Sequence, residues 1–233
     1  MSTFVVETLD EPGIYKTIQE SGVCVIPHHL IDCSQLTSEA SEIIQEAERR
    51  NFEEYSPGVA EKLFVKSSIA KQASKYPKIC NYFSHPLFRL VFDSVTNGEG
   101  TFCEDIYMTK EVRNDRGLAR NGYLHFDRNW AFKVMVYLSD VTEGCGPFSV
   151  VPGSHELGRS LRHLGWEKYK KYGNVPNRSE IDFPDVSKLL GETQPIYGKA
   201  GTVILFDTDI FHLGGLVETG KHRWIIRSHC RAW

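Results

Sequence analysis

Three features of the sequence predict an α+β fold with a β-sandwich or barrel as its working part. Up to about residue 100, apolar residues recur at helical spacing. Beyond it, short runs rich in aromatic and β-branched residues alternate with Gly/Pro turns. No repeat, low-complexity tract or Pro/Ser linker marks a boundary, so residues 1–233 are read as one domain, with 1–100 as mainly helical support and 101–233 as the strand-built core. Helices first and strands afterwards is the order of α+β architecture, not of alternating α/β.

Taken in order, Val23–Ile26 followed by Pro27 reads as a short early strand. Residues 34–50 place Leu36, Ala40, Ile43, Ile44 and Ala47 on one face of a helix. The stretches 60–75 and 86–96 also read as helices. Pro86 opens the second at a first-turn position, where its missing N–H is no loss. Phe102–Met108, Trp130–Leu138 and Phe148–Val151 are strand candidates. Gly144-Cys-Gly-Pro147 and Pro152-Gly153 punctuate them. Residues 201–206 form a buried strand by their continuous apolar run, and 222–229 close the chain after the turn at Thr219-Gly220. Residues 155–195 interrupt this strand series, and an insertion of that length in a compact domain is usually a lid or binding loop.

Composition narrows the function. Apolar residues are 41% and charged residues 24%, the balance of a globular chain, which at this length buries about 70% of its unfolded surface. Thirty acids against 27 bases, a net charge of -3, exclude a generally basic nucleic-acid coat. No run of 18 apolar residues exists to span a membrane, and the N-terminus lacks the basic start and apolar stretch of a secretory signal. Six cysteines, with no Cys-x-x-Cys pair, read as reduced, mostly structural thiols. The expectation is a cytoplasmic protein acting on a small molecule, possessing no membrane span and with no nucleic acid as partner. The sequence leaves its oligomeric state open.

One local group among nine histidines stands out. His125-Phe126-Asp127 precedes the strand at 130–138, and in extended chain residues i and i+2 point to one side. Asp209-Ile-Phe-His212 follows the buried strand 201–206, and Arg223 lies eleven residues further on, in the closing strand. Two histidines and one carboxylate can hold one face of an octahedral Fe(II), leaving three positions open. Those positions suit a bidentate oxo-acid and dioxygen, and an arginine can grip the acid's far carboxylate through a two-pronged charged contact.

The segment from about residue 100 to the end resembles the phytanoyl-CoA dioxygenase-like family of Fe(II)/2-oxoglutarate oxygenases. The likeness is carried by His125-Phe-Asp127, Gly146-Pro-Phe-Ser-Val-Val-Pro-Gly-Ser-His155, the run Gly201 to His212, and Arg223, together spanning about half of the chain. The resemblance implies a double-stranded β-helix, that is a cupin-like jelly roll, with the N-terminal helices packed outside. It implies His125, Asp127 and His212 as iron ligands and Arg223 as the partner of the 2-oxoglutarate carboxylate. O2 is then the oxidant, and 2-oxoglutarate is decarboxylated to succinate as the substrate is oxidised. Halogenating relatives replace the ligand carboxylate with a small residue, so the retained Asp127 favours hydroxylation of a small polar or anionic metabolite or sugar. Epimerisation, desaturation or ring closure, or a non-catalytic jelly-roll binding protein, are the alternatives. The family often places a hydroxyl two residues past the second histidine to help hold the oxo-acid. Here that position is Gly214, leaving Thr202 and Lys133 as candidates for the missing partner.

Further residues are weighed around that centre. Arg227 and His229 share a strand face with Arg223, so Arg227 is an alternative anchor or a substrate contact, whereas His222 points the other way. His155 is read as a turn residue bonding backbone in preference to a third histidine ligand. Between 155 and 178 six bases, Arg159 and Arg162 among them, face two acids. These form either a solvated helix face, with Leu161, Leu164, Tyr169 and Tyr172 buried, or a positive rim for an anionic substrate. Arg128 and Trp130, just past the ligand pair, are further candidates for lining the cavity.

Overall fold

The computed structural model describes residues 3–49, 54–55, 61–65, 73–113, 122, 124–127, 129–172 and 190–232. Five helices are formed: α1 (Glu11–Ser21), α2 (Ser34–Arg49), α3 (Pro77–Phe83), α4 (Pro86–Thr96) and α5 (His155–Tyr172). The strands are β1 (Val23–Ile26), β2 (Glu54–Tyr55), β3 (Glu61–Val65), β4 (Thr101–Val112), β5 (Phe132–Tyr137), β6 (Phe148–Val150), β7 (Gln194–Pro195), β8 (Val203–Asp207), β9 (His212–Gly214) and β10 (His222–Arg231). Seven form an antiparallel sheet in the order β1-β8-β5-β10-β4-β3-β2, and three form a second, β7-β6-β9.

Local chemistry explains where the helices start and stop. The Asp10 carboxylate accepts from Gly13 N at 2.7 Å and caps α1. Gly22 closes it with φ +74°, a left-handed turn that a Cβ would strain and would drive against His155. His85 Nδ1 accepts from Leu87 N at the head of α4, with Pro86 at the first turn as read from the sequence.

The period-two alternation of the long sheet sorts its side chains into two cores. Cys24, Ile26, Met108, Val134, Leu205 and Ile226 point outward and pack under Ile14, Ile18, Leu36, Ala40, Phe88 and Phe92 of the helices. Val23, Val25, Met135, Ile204, Phe206 and Ile225 point inward, against Phe148 and Val150 of the small sheet. The architecture is therefore α+β: two facing antiparallel sheets in jelly-roll form with helices on the outside of the larger one. All six cysteines stand unpaired, and no helix among the described residues is long and apolar enough to cross a membrane.

Two expectations change. The helix read into 60–75 fails at 61–65, which are β3, hydrogen-bonded to β4 with Leu63 opposite Thr109, while 60 and 66–72 lie outside the described residues. The twelve-residue β4 runs well past Phe102–Met108 and offers a long edge, and pairing with that distant partner overrides a local helical pattern. The insertion at 155–195 opens as α5, while 173–189 lie outside the described residues. Within α5, Leu161 packs on Val151 and Phe211, as the buried side of a helix should. Leu164, expected beside it, is 65% exposed.

Candidate metal centre

His125 and His212 face each other across a single antiparallel bridge. His125 N donates to His212 O at 3.0 Å and His212 N to His125 O at 2.7 Å. Asp127 N donates to Thr208 O at 2.9 Å, keeping the His-x-Asp segment extended along the β8–β9 connection. Alternation then does what the spacing predicts. Phe126 turns away to stack on Phe211, with ring centroids 5.2 Å apart, while His125 and Asp127 turn to the same side as His212.

One ligand atom from each of the three residues lies within 4.8 Å of the others. Asp127 Oδ1 stands 4.0 Å from His125 Nε2 and 3.8 Å from His212 Nε2. Its other oxygen, Oδ2, accepts from Lys133 Nζ at 2.5 Å. The carboxylate is thus divided, one oxygen toward the histidines and one held by an ammonium. His212 Nδ1 lies 2.7 Å from the Ile210 carbonyl. That contact fixes the proton on Nδ1 and leaves the Nε2 lone pair for a metal.

Electrostatics keeps His212 and Asp127 in the ligating state. Burial, with His125 beside it, pushes the His212 imidazole down to about 3, so it is neutral near pH 7. Burial alone would raise Asp127, but Lys133, His212 and His125 together hold its carboxyl well below the usual range. Two imidazoles and one carboxylate on adjoining positions match the donor set of a three-point ferrous site with open coordination positions. The residues fit such an ion.

Arg223 lies deeper in the barrel, on the inward face of β10, and is 2% exposed. Its guanidinium donates to Glu111, directly opposite on β4, and to the Gly146 carbonyl. Its Nε–H is buried without an acceptor. Tyr137, fully buried, brings its hydroxyl within hydrogen-bonding reach of Arg223. That hydroxyl donates to Ile196 O at 2.9 Å and accepts from Phe148 N at 3.3 Å.

The other sequence candidates divide. Lys133 is at the centre, but on Asp127. Thr202 sits in the turn into β8, its N bonded to Lys199 O and its side chain against Gly198. The hydroxyl beside Arg223 is Tyr137's. Trp130 donates Nε1–H to Asp207 at 2.8 Å. Arg159 reaches Asp207 at 3.0 Å, and Arg162 grips Asp209 with contacts of 2.6 and 2.9 Å. Trp130, Arg159 and Arg162 thus serve two buried acids, one ending β8 and one just beyond it, that need cations and donors. Gly158 makes the seating possible, since a Cβ there would come within 1.8 Å of Asp209 O.

Arg227 and His229 do face inward as alternation requires, Arg227 donating to Thr109 Oγ1 at 3.2 Å. His229 lies opposite Lys133, its ring 5.0 Å from Tyr107 and its Nε2 buried without a partner. His155 bonds the Gln19 carbonyl at 3.1 Å, as a structural residue, and His222 is exposed on the other face. Arg128 lies outside the described residues. Glu111 and Tyr137 were missed by the sequence reading. Tyr137 shares its strand face with Lys133, which was a usable signal; Glu111 is recognisable only once the β4–β10 register is known.

The phytanoyl-CoA dioxygenase (PhyH) family matches residues 18–225. The chain belongs to that family. Solved structures of similar fold include alpha ketoglutarate-dependent enzymes. The alpha ketoglutarate-dependent epimerase SnoN from nogalamycin biosynthesis is 14% identical, with 95% of this chain and 83% of that one covered at a TM-score of 0.65. The carbocyclase SnoK from the same biosynthesis is 15% identical, with coverages of 93% and 81% and a TM-score of 0.65. HygX from Streptomyces hygroscopicus, solved with nickel and 2-oxoglutarate, is 16% identical, with coverages of 93% and 85% and a TM-score of 0.59. Among curated proteins, none matches this chain by sequence. At these identities the neighbours establish the shared fold alone, and the chemistry must come from the site.

Proposed function

We propose that this PhyH-family protein is an Fe(II)- and 2-oxoglutarate-dependent dioxygenase that hydroxylates a small polar or anionic metabolite or sugar. The observation that carries the reading is the convergence of His125 Nε2, Asp127 Oδ1 and His212 Nε2, with Arg223 buried on the inward face of β10. His125, Asp127 and His212 hold the metal. When bound, iron supplies the activation of dioxygen, coupled to loss of CO2 from the oxo-acid. The chain's own residues position the reactants and exclude water. Arg223, through its unfilled Nε–H, holds the distal carboxylate of 2-oxoglutarate. Lys133 keeps Asp127 ionised and aimed. Phe148 and Phe206, with ring centroids 5.5 and 5.6 Å from that of His212, wall the metal from water. Arg227 and His229, beside the centre on β10, face the substrate and favour a polar or anionic group.

The test is succinate release from 2-oxoglutarate with Fe(II) across a panel of acidic metabolites and sugars. Wild type is expected to release succinate and to place an atom of 18O from labelled O2 in the product. Asp127→Ala is expected to lose at least about a hundred-fold in rate while still folding. Succinate without label in the product means epimerisation, desaturation or ring closure. No succinate with any compound means a binding protein.

A further inference from the structure

The buried pair of Glu111 and Arg223 stands in the way of the co-substrate. A guanidinium sealed between strands is costly without a counter-charge. Glu111 supplies one from the facing position on β4, with the two residues 6% and 2% exposed. The Arg223 head therefore already carries a neutralising carboxylate. An incoming distal carboxylate puts two anions on one cation away from water, which like-charge repulsion opposes. Gly214 brings no hydroxyl to spread that charge.

We propose that Glu111 is a built-in competitor for the seat of the oxo-acid's distal carboxylate. It closes Arg223 in the ligand-free enzyme and leaves the guanidinium when a 2-oxo dicarboxylic acid enters. The incoming carboxylate takes over the contact, and the Nε–H that now lacks an acceptor gains one. Glu111 thereby sets both the affinity for the co-substrate and the margin by which dicarboxylic oxo-acids are preferred over monocarboxylic ones. The proposal rests on the co-substrate role given to Arg223 above.

The experiment is isothermal titration of the nickel-loaded protein with 2-oxoglutarate and with 2-oxopentanoate, the same chain lacking the distal carboxylate. If Glu111 is off Arg223 in roughly a tenth of ligand-free molecules, Glu111→Gln binds 2-oxoglutarate about ten-fold tighter than wild type. Binding of 2-oxopentanoate stays unchanged. Unchanged or weaker binding of 2-oxoglutarate to the folded variant, or equal tightening of both acids, overturns the proposal. Should the variant not fold, a crystal structure of the wild-type nickel complex with 2-oxoglutarate decides. Glu111 withdrawn from Arg223 supports the proposal, and Glu111 still on it overturns it. If neither acid binds wild-type protein that does bind nickel, the co-substrate reading itself fails, and this proposal with it.

Discussion

His212 shows how burial prepares a ligand. An imidazole titrating near 6.5 in the unfolded chain is pushed down to about 3 by burial and by His125. Between those two values the unfolded chain binds the proton and the folded one does not, so stability falls as pH falls through that window. The metal-free protein is expected to lose urea resistance steeply from about pH 6.5 downward, and His212→Gln to lose less over the same range, read from unfolding midpoints by circular dichroism. Arg223 carries a second expectation. Arg223→Lys keeps the charge but loses the planar fork, so 2-oxoglutarate binding to the nickel form weakens about ten-fold or more while nickel affinity holds, measured by titration calorimetry. Three of the residues involved were legible because their spacing is local: two positions apart for His125 and Asp127, and a strand end for His212. Glu111 and Tyr137 were not, since a cross-strand partner is chosen by register, and register is set by the whole sheet.

At the scale of elements, α5 is tied down by charge. Asp207 and Asp209 sit on the β8–β9 turn with side chains 3% and 0% exposed, and Arg159, Arg162 and Trp130 satisfy them. Arg162→Ala leaves Asp209 short of its two-pronged partner and is expected to destabilise the fold by about 2 kcal/mol, lowering the melting temperature by roughly 4–8 °C. Arg162→Ala/Asp209→Ala should recover part of that loss in thermal unfolding. The substrate KM should not move, the opposite of what a substrate-binding arginine would show. The basic stretch in 155–178 was visible in the sequence, but its acids lay some fifty residues further along the chain, so counting charges locally suggested an open positive rim. The same limit explains β3. Local pattern favoured a helix, and the edge that claimed the segment begins forty residues later at Thr101.

Across the whole molecule, the α+β order and a sandwich or barrel of strands were readable because alternation and helical spacing repeat over many residues and tertiary context rarely overturns them together. The jelly-roll form and the external helices followed instead from the family resemblance. Ligand binding should register at this scale too. Nickel at a hundred times its dissociation constant adds about 2.7 kcal/mol and raises the melting temperature, 2-oxoglutarate raises it further, and Asp127→Ala removes the nickel increment in differential scanning calorimetry. The reciprocal peptide bonds between His125 and His212 have one more consequence. The cage is assembled by main-chain groups before any ion arrives, so the ion is a guest and not a staple. Stripping it with a chelator should leave a folded, vacant host that takes up ferrous, cobalt or nickel ions again without refolding.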